Sequence, residues 1–512
     1  SNYPATAEFI AEKKAEFSEA IKLVSGVRVD ALANTEIITP DESFLVASRV
    51  FFPNIENLKV KEIKLQTLRG WQISKADAPK ETTQGFFRRE VANETAYFNV
   101  KVPPNEKPTQ PFWLKNKRKG DVFDLQESEN IIESFQPEII NCLVTVEVNG
   151  TEINITQPVE YRFADDIRGE VRRNLNVVPK ISLGLDQNLL IIPNSERAQT
   201  RQIVLGLTNN SLSPVSGEAK LNLPDGWKSA PSAANFNLKN KGEKTSVVFD
   251  VTVPAKFKNG EFELGAQASA KGEIFTKTMN TIAYPHIQTH RFYTEAKTKI
   301  AVLNLKTAPV KIGYITGSGD EIPEAIRQMG FAVDLLNEMD LTSGDLSRFQ
   351  TIVVGIRAFQ VRPDLVSNNQ RLLDYVRNGG VLIVQYQRPE YETLLPFPAK
   401  LGARVADENA KVTILERENP VFNFPNRIIE EDFAGWVQER NLYAFSTFDA
   451  QYKPLLEAHD AGEAENKGGL VIAQIGKGKY IYCSYAFFRQ LPAGVPGAYR
   501  LFANLLSLPK AR

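Results

Sequence analysis

Histidine and cysteine are almost missing from this chain of 512 residues, which has three of the first and two of the second. Cys142 and Cys483 lie far apart, so a disulfide framework is excluded as the source of stability, and buried free thiols are the expectation. A zinc site built from His and Cys would have to use nearly all of these residues across separate units. His286 and His290 stand four apart in "YPHIQTHRFY", but Pro285 and the β-branched neighbours write a strand or linker there. Metal ligation and packing between units both remain open for that pair. Charge of one sign is missing as well, with 61 basic residues against 61 acidic ones. That balance removes the electrostatic argument for a nucleic-acid partner or an anionic membrane. No apolar run approaches the roughly 18 residues of a membrane span, so none is expected. The opening Ser1-Asn2-Tyr3-Pro4 lacks Met and an apolar core, and reads as a processed or trimmed start.

At 42% hydrophobic residues the composition is that of an ordinary globular protein. The length calls for about three or four domains and not a single core. Phe9, Ile10, Phe17, Ile21 and Val24 recur at helical spacing before Gly26, which predicts a linker helix within 1–26 whose apolar stripe must bury against something. Short alternating runs follow ("SFLVASRVFF", "TAYFNVKVP", "INCLVTVEV"), the rhythm of a β-sandwich over 27–175. Inside it, "TQPFWLKNKRKGDVFD" breaks the alternation. It sets Phe112 and Trp113 beside Lys115, Lys117, Arg118 and Lys119 on a loop. That loop reads either as a site for a sugar or acidic ligand or as an aromatic anchor beside a solvated basic turn. A second, Ig-like sandwich is expected over 176–292, where "LNLPDGWK" precedes "FDVTVP". From 293 to 512 strands alternate with helices: "KIAVLNLKTAPVKIGYITG", "DEIPEAIRQMG", "TIVVGI", "NNQRLLDYVRNGG", "GVLIVQY". This predicts an α/β domain with a mostly parallel sheet and right-handed crossovers. The expected fold is thus two all-β sandwiches followed by an α/β unit of flavodoxin or glutaminase type.

In an open α/β sheet, ligands sit at the carboxyl ends of the strands. The candidates there are Ser318, Asp320 and Glu321 in "TGSGDE", Arg357 and Arg362, Gln385 and Tyr386, and Arg489. "TGSGDE" opens a helix and could offer amides to an anion, although Asp320 would repel a phosphate and suits N-capping. Arg357 and Arg362 could clamp a carboxylate or pair with Asp320 and Glu321. Trp436 and Glu439 lie in "IEEDFAGWVQERNLYAFSTFD", where carboxylates beside a Trp fit either glycosidic acid–base work or a solvated acidic loop with an aromatic anchor. A glutaminase needs a nucleophile with a base in reach. After "GGVLIVQYQ" the chain offers only Gln385, Tyr386 and Gln387. Cys483 sits within a strand and not at an elbow, and His459 is the one histidine of this unit. Glutaminase catalysis is therefore not expected and no catalytic residue is assigned. A hydrolase at the strand ends using Asp320, Arg357 and Glu439 stays open as the alternative, as does a glycan-binding module using Trp113 or Trp436.

The runs "VVGIRAFQVRPDL", "NQRLLDYVRNGGVLIVQYQ", "KVTILERENPVFNFPNRI", "DFAGWVQERNLY" and "FFRQLPAGVPGAYRLFANLLSL", with "TQPFWL" and "YRFADDIRGEVRR", resemble the C-terminal region of large bacterial PIG-L (LmbE-like) deacetylases. The resemblance spans essentially the whole chain. It implies an architecture in which a zinc-dependent N-acetylglucosaminyl deacetylase domain comes first, either ahead of Ser1 or lost, then a linker helix, β-sandwich modules and a glutaminase-like domain. The stretches 221–227 and 247–254 also resemble the α-galactosidase-associated Ig-like domain. The family's A-H-P-D-D-type zinc motif and its downstream H-x-x-H are nowhere in these residues, so no catalytic residue carries over and no cofactor is expected in this chain. What the resemblance implies is a non-catalytic accessory region, periplasmic or extracellular. Its partners would be a glycan or N-acetylated sugar, and further copies of itself.

Overall fold

Gly26, at φ +66°, ends the N-terminal helix Pro4–Val24 of this computed structural model, and the Val27 N–H reaches back to the Lys22 carbonyl at 3.1 Å. The αL glycine and the six-to-one bond satisfy carbonyls that the helix end would otherwise leave open. The structure describes residues 4–53, 58–67, 69–79, 91–125, 135 and 138–511, with side chains from Phe9 onward. The helix itself was expected, but the cover for its stripe is not there: Phe9, Ile10 and Phe17 face solvent. Periodicity encodes an amphipathic face, and only a partner surface turns that face into burial.

The first β unit stacks two sheets. One has six strands, in the spatial order Gly169–Asn174, Glu160–Asp165, Arg28–Ala33, Ser43–Phe51, Glu94–Lys101 and Gln72–Ala76. The other has three, Leu58–Thr67, Ile140–Val148 and Thr151–Pro158. Alternate residues of both, among them Val29, Val46, Phe98, Val144 and Ile155, meet in one core, together with the Cys142 thiol. The second unit pairs a four-stranded sheet with a larger one. Its core gathers Leu183, Ile203, Trp227, Phe236, Phe249 and Leu264. Both layouts are consistent with Ig-like sandwiches. The chain is multi-domain and rich in β-structure.

The third unit is built on a seven-stranded sheet. Its spatial order is Ala332–Leu335, Lys311–Ile315, Thr351–Val354, Val381–Gln385, Gly478–Cys483, Leu470–Ile475 and Lys453–Pro454. The first five run parallel, in the order 2-1-3-4-5 along the chain, and the last two close the edge antiparallel. Both faces are covered, so the strands read as unbroken apolar runs. Val353, Ile383, Ile481 and Cys483 face the helix Pro496–Ser507, while Val354, Val384, Tyr480 and Tyr482 face the side of Asn369–Arg377.

Two strands join the second and third units. Leu189–Pro193 and Lys297–Leu303 pair in parallel within the larger sheet of the second sandwich. Leu190, Ile192, Ile300 and Val302 point into the sandwich core, whereas Ile191, Ala301 and Leu303 point into the core of the α/β unit. Gln328, from the helix Ile322–Gln328, then closes the edge of Leu189–Pro193: it accepts the Ile191 N–H at 2.8 Å and donates to the Leu189 carbonyl at 3.2 Å. Leu303→Ala removes a side chain from that shared wall and should cost about 2–5 kcal/mol. Differential scanning calorimetry should show the second sandwich and the α/β unit losing stability in one transition. Two transitions, of which only one moves, would show that the wall does not couple them.

Candidate functional site

The parallel strands deliver their carboxyl ends to one edge, and there the candidate side chains meet neighbours of their own. Asp320 accepts from the Tyr314 hydroxyl at 2.8 and 2.9 Å and from the Ile322 N–H at 3.3 Å. Gln385 donates to that same hydroxyl at 3.1 Å, so Gln385, Tyr314 and Asp320 form one chain. Burial raises the Asp320 carboxyl above its usual range. Glu321 holds the N-cap position of the following helix without a side-chain cap bond. Ser318 is exposed, and its N–H is spent on the Ile356 carbonyl at 2.9 Å, so that amide is not free for an anion.

Arg357 stands just past the strand Thr351–Val354 in left-handed backbone, at φ +54°, a strained setting for a non-glycine residue. Its N–H binds the Tyr386 carbonyl at 3.0 Å and its Nε binds Gln360 at 2.8 Å. Arg362 turns to Asp364 at 2.9 Å, through a guanidinium fork. Arg357 and Arg362 thus take local partners, and the alternative pairing with Asp320 and Glu321 is not formed. A carboxylate two residues away costs less chain entropy to reach than one across the sheet.

The nucleophile position is filled. Gln385, Tyr386 and Gln387 are 1, 8 and 0% exposed. Gln387 donates to the Gly355 and Gln385 carbonyls, both at 2.9 Å, while its N–H meets the Tyr482 hydroxyl at 3.3 Å. Tyr386 stacks on Tyr443 at 5.6 Å and packs on Phe488. Beside them Glu439 binds Arg489 at 2.9 Å. Cys483 is enclosed in the core, and burial pushes its thiol up to about 12. His459 sits 2.7 Å from Glu457. Trp436 is buried among Phe433, Tyr485 and Phe487 and donates to the Asp432 carbonyl at 3.2 Å. It is an anchor, and two acidic side chains of the loop around it are paired, Glu430 with Arg417 and Asp432 with Arg500. Among the described residues no group of three His, Cys, Asp or Glu is placed to share a metal ion.

A different place is open. Where the hairpin Lys277–Ile282/His290–Glu295 folds back on the first sandwich, a cavity of about 590 Å³ is lined by Trp113, Phe135, Glu138, Asn174, His290 and Arg291 among others. Phe112–Leu114 forms a short 3-10 turn that presents Trp113. Trp113 meets Phe135 edge-on at 5.1 Å, and Phe135 stacks on His290 at 4.7 Å, so this histidine packs between units. Burial lowers the His290 pKa and raises that of Glu138, whose Oε1 accepts from Asn174 at 2.7 Å. Arg291 is buried and binds Glu36 through Nη2 at 2.6 Å, while its Nε and Nη1 have no partner. Each such buried donor costs about 1–3 kcal/mol. Sequence reasoning singled out Trp113 but missed Arg291, Glu36 and Glu138. No local pattern marks an arginine whose partner lies 255 residues away.

No family model matches the chain, and no curated protein matches it. Among solved structures, a β-galactosidase from Rahnella sp. R3 aligns at 14% identity over 40% of this chain and 31% of its own, with a TM-score of 0.25. One from Bacillus circulans sp. alkalophilus gives 12%, 41%, 32% and 0.27 for the same quantities. An E. coli α-2-macroglobulin gives 14%, 54%, 17% and 0.18. The chain thus spans about a third or less of these proteins.

Because the folded state raises the Asp320 carboxyl, its protonated form contributes stability that is complete below the unfolded carboxylate value and is lost as pH rises through the folded one. Asp320→Asn keeps an oxygen acceptor for Tyr314 and Ile322 and removes the buried charge. It should leave Tm unchanged or raise it by a few degrees at pH 7, with the gap to the parent closing near about pH 4. Thermal melts at the two pH values check this. A clear loss of Tm at pH 7 would mean that the ionised carboxylate is the stabilising form.

Proposed function

We propose that this chain is a non-catalytic accessory region of a PIG-L-type, zinc-dependent N-acetylglucosaminyl deacetylase, which it serves by holding a glycan and by bringing copies of the enzyme together outside the cytoplasm. The α/β unit is then a glutaminase-like domain kept as a scaffold, and its 2-1-3-4-5 strand order is the flavodoxin-type one. The observation that carries the reading is the plug at the end of Val381–Gln385, where Gln385, Tyr386 and Gln387 are buried and hydrogen-bonded. A nucleophile must be exposed to its substrate with a base in reach, and neither condition is met by these side chains. The family runs in the sequence support the deacetylase connection. The aromatic cavity beside Trp113 supports the glycan connection, since ligand sites are mostly apolar hollows with a few polar groups. An independent hydrolase at the strand ends is less well supported, because Asp320, Arg357 and Glu439 are all engaged by neighbours.

With zinc and chitotriose supplied, the chain alone should release no acetate above the protein-free blank in an enzymatic acetate assay. Zinc-dependent release that survives repurification would overturn the accessory reading.

A further inference from the structure

The cavity at Trp113 carries more chemical information than its shape. One carboxylate, Glu36, is shared by two guanidinium groups: Arg291 at 2.6 Å and Arg173 at 3.0 Å. That triad bears a net positive charge. The other arginine of the cavity wall, Arg69, is matched by Glu106 at 2.6 Å. A guanidinium presents five N–H donors in a planar fork. Glu36 engages one nitrogen of Arg291, and Nε and Nη1 are buried without a partner. Donor capacity is therefore left over: a second carboxylate entering the hollow would be taken by Nη1 together with the remaining Nη2 hydrogen, the end-on pair of the fork, beside the Glu36 bond.

The rest of the wall suits a ring. Trp71, Trp227 and Trp436 are 4, 6 and 3% exposed, and Trp113, half-buried, is the one tryptophan of the four that is not enclosed. It is held edge-on by Phe112 at 5.1 Å and by Phe135, so its orientation is set before any ligand arrives. An indole face takes the C–H face of a pyranose, and a preset platform loses little entropy on binding. Glu138, held by Asn174, adds a carboxyl oxygen that can accept from a sugar hydroxyl. A volume of about 590 Å³ lies within the usual range for small-ligand sites.

We propose that this cavity binds an acidic sugar, a pyranose carrying a ring carboxylate, with Arg291 taking the carboxylate and Trp113 taking the ring. This rests on the glycan-binding part of the function proposed above and is independent of the deacetylase part. The probe is galacturonic acid trisaccharide, with the neutral galactose trisaccharide beside it. Acrylamide quenching of intrinsic fluorescence reads Trp113 selectively, and titration calorimetry reads affinity on the same samples. The acidic trisaccharide should protect the accessible tryptophan and bind at least tenfold more tightly than the neutral one. Arg291→Lys keeps a cation for Glu36 but loses the fork, and should erase most of that preference. Trp113→Ala, at a loop position outside the cores, should weaken both sugars at least tenfold with Tm preserved, and keeps the test valid if the arginine variant fails to fold. Equal binding of the two trisaccharides would overturn the acidic assignment and leave the glycan reading standing. Binding of neither would overturn both, and acidic binding unchanged in Trp113→Ala would place the site elsewhere and overturn the proposal.

Discussion

Two paired strands, Leu189–Pro193 and Lys297–Leu303, hold the last two units of this chain in one arrangement. A β-strand sends successive side chains to opposite faces, and here the two faces belong to different cores. Leu190, Ile192, Ile300 and Val302 fill the second sandwich, and Ile191, Ala301 and Leu303 close the floor of the α/β unit. Neither core is complete without this wall, so the two units share apolar burial where most neighbouring domains share only a surface contact. Gln328 completes the join by bonding to the backbone of the edge strand, which removes the exposed edge that such a strand would otherwise present.

That rigid join gives the α/β sheet its setting, but the sheet's strand ends are used for packing. Parallel α/β sheets collect ligands at this edge because loops diverge there and leave a crevice. In this chain the crevice is occupied by the protein's own side chains: Tyr314, Gln385 and Gln387 from within, and Tyr386 with Tyr443 and Phe488 above. The open volume lies instead where the hairpin Lys277–Ile282/His290–Glu295 returns to the first sandwich. A hairpin leaning on another unit touches at a few points, here Arg291 to Glu36 and Tyr293 to Gln110 and Val177. Such a joint leaves hollows that a continuous core would fill.

The elements of the α/β unit were legible because both of its periodicities are strong. Apolar runs such as "TIVVGI" and "GVLIVQY" can only be strands covered on both sides, and Gly330 and Gly379 mark where helices stop. The residues at that strand end were legible for the same reason, since a strand end can be located from its run and the residues after it read directly. The site was less so. Ser318, Asp320, Arg357 and Arg362 were correctly put near strand ends, yet position there does not say whether a side chain faces solvent or a neighbour. Arg362 chose Asp364, and Arg357 chose Gln360. The exposure of the N-terminal helix stripe was illegible too, because amphipathicity describes one surface and burial needs two.

By itself the sequence determined the β-rich, multi-domain character of the chain, the balance of its basic and acidic charge, the scarcity of His and Cys, and which residues follow the strand Val381–Gln385. These follow from local composition and from periods of two and 3.6 residues. Only the tertiary structure decided that one strand pair serves two cores, that the strand ends are plugged, and that Arg291 is a buried cation with donors to spare. Each of those depends on contacts between residues far apart in the chain. Such contacts leave no periodic trace, because the free energy that selects them comes from the burial and pairing of surfaces that exist only once the units have folded.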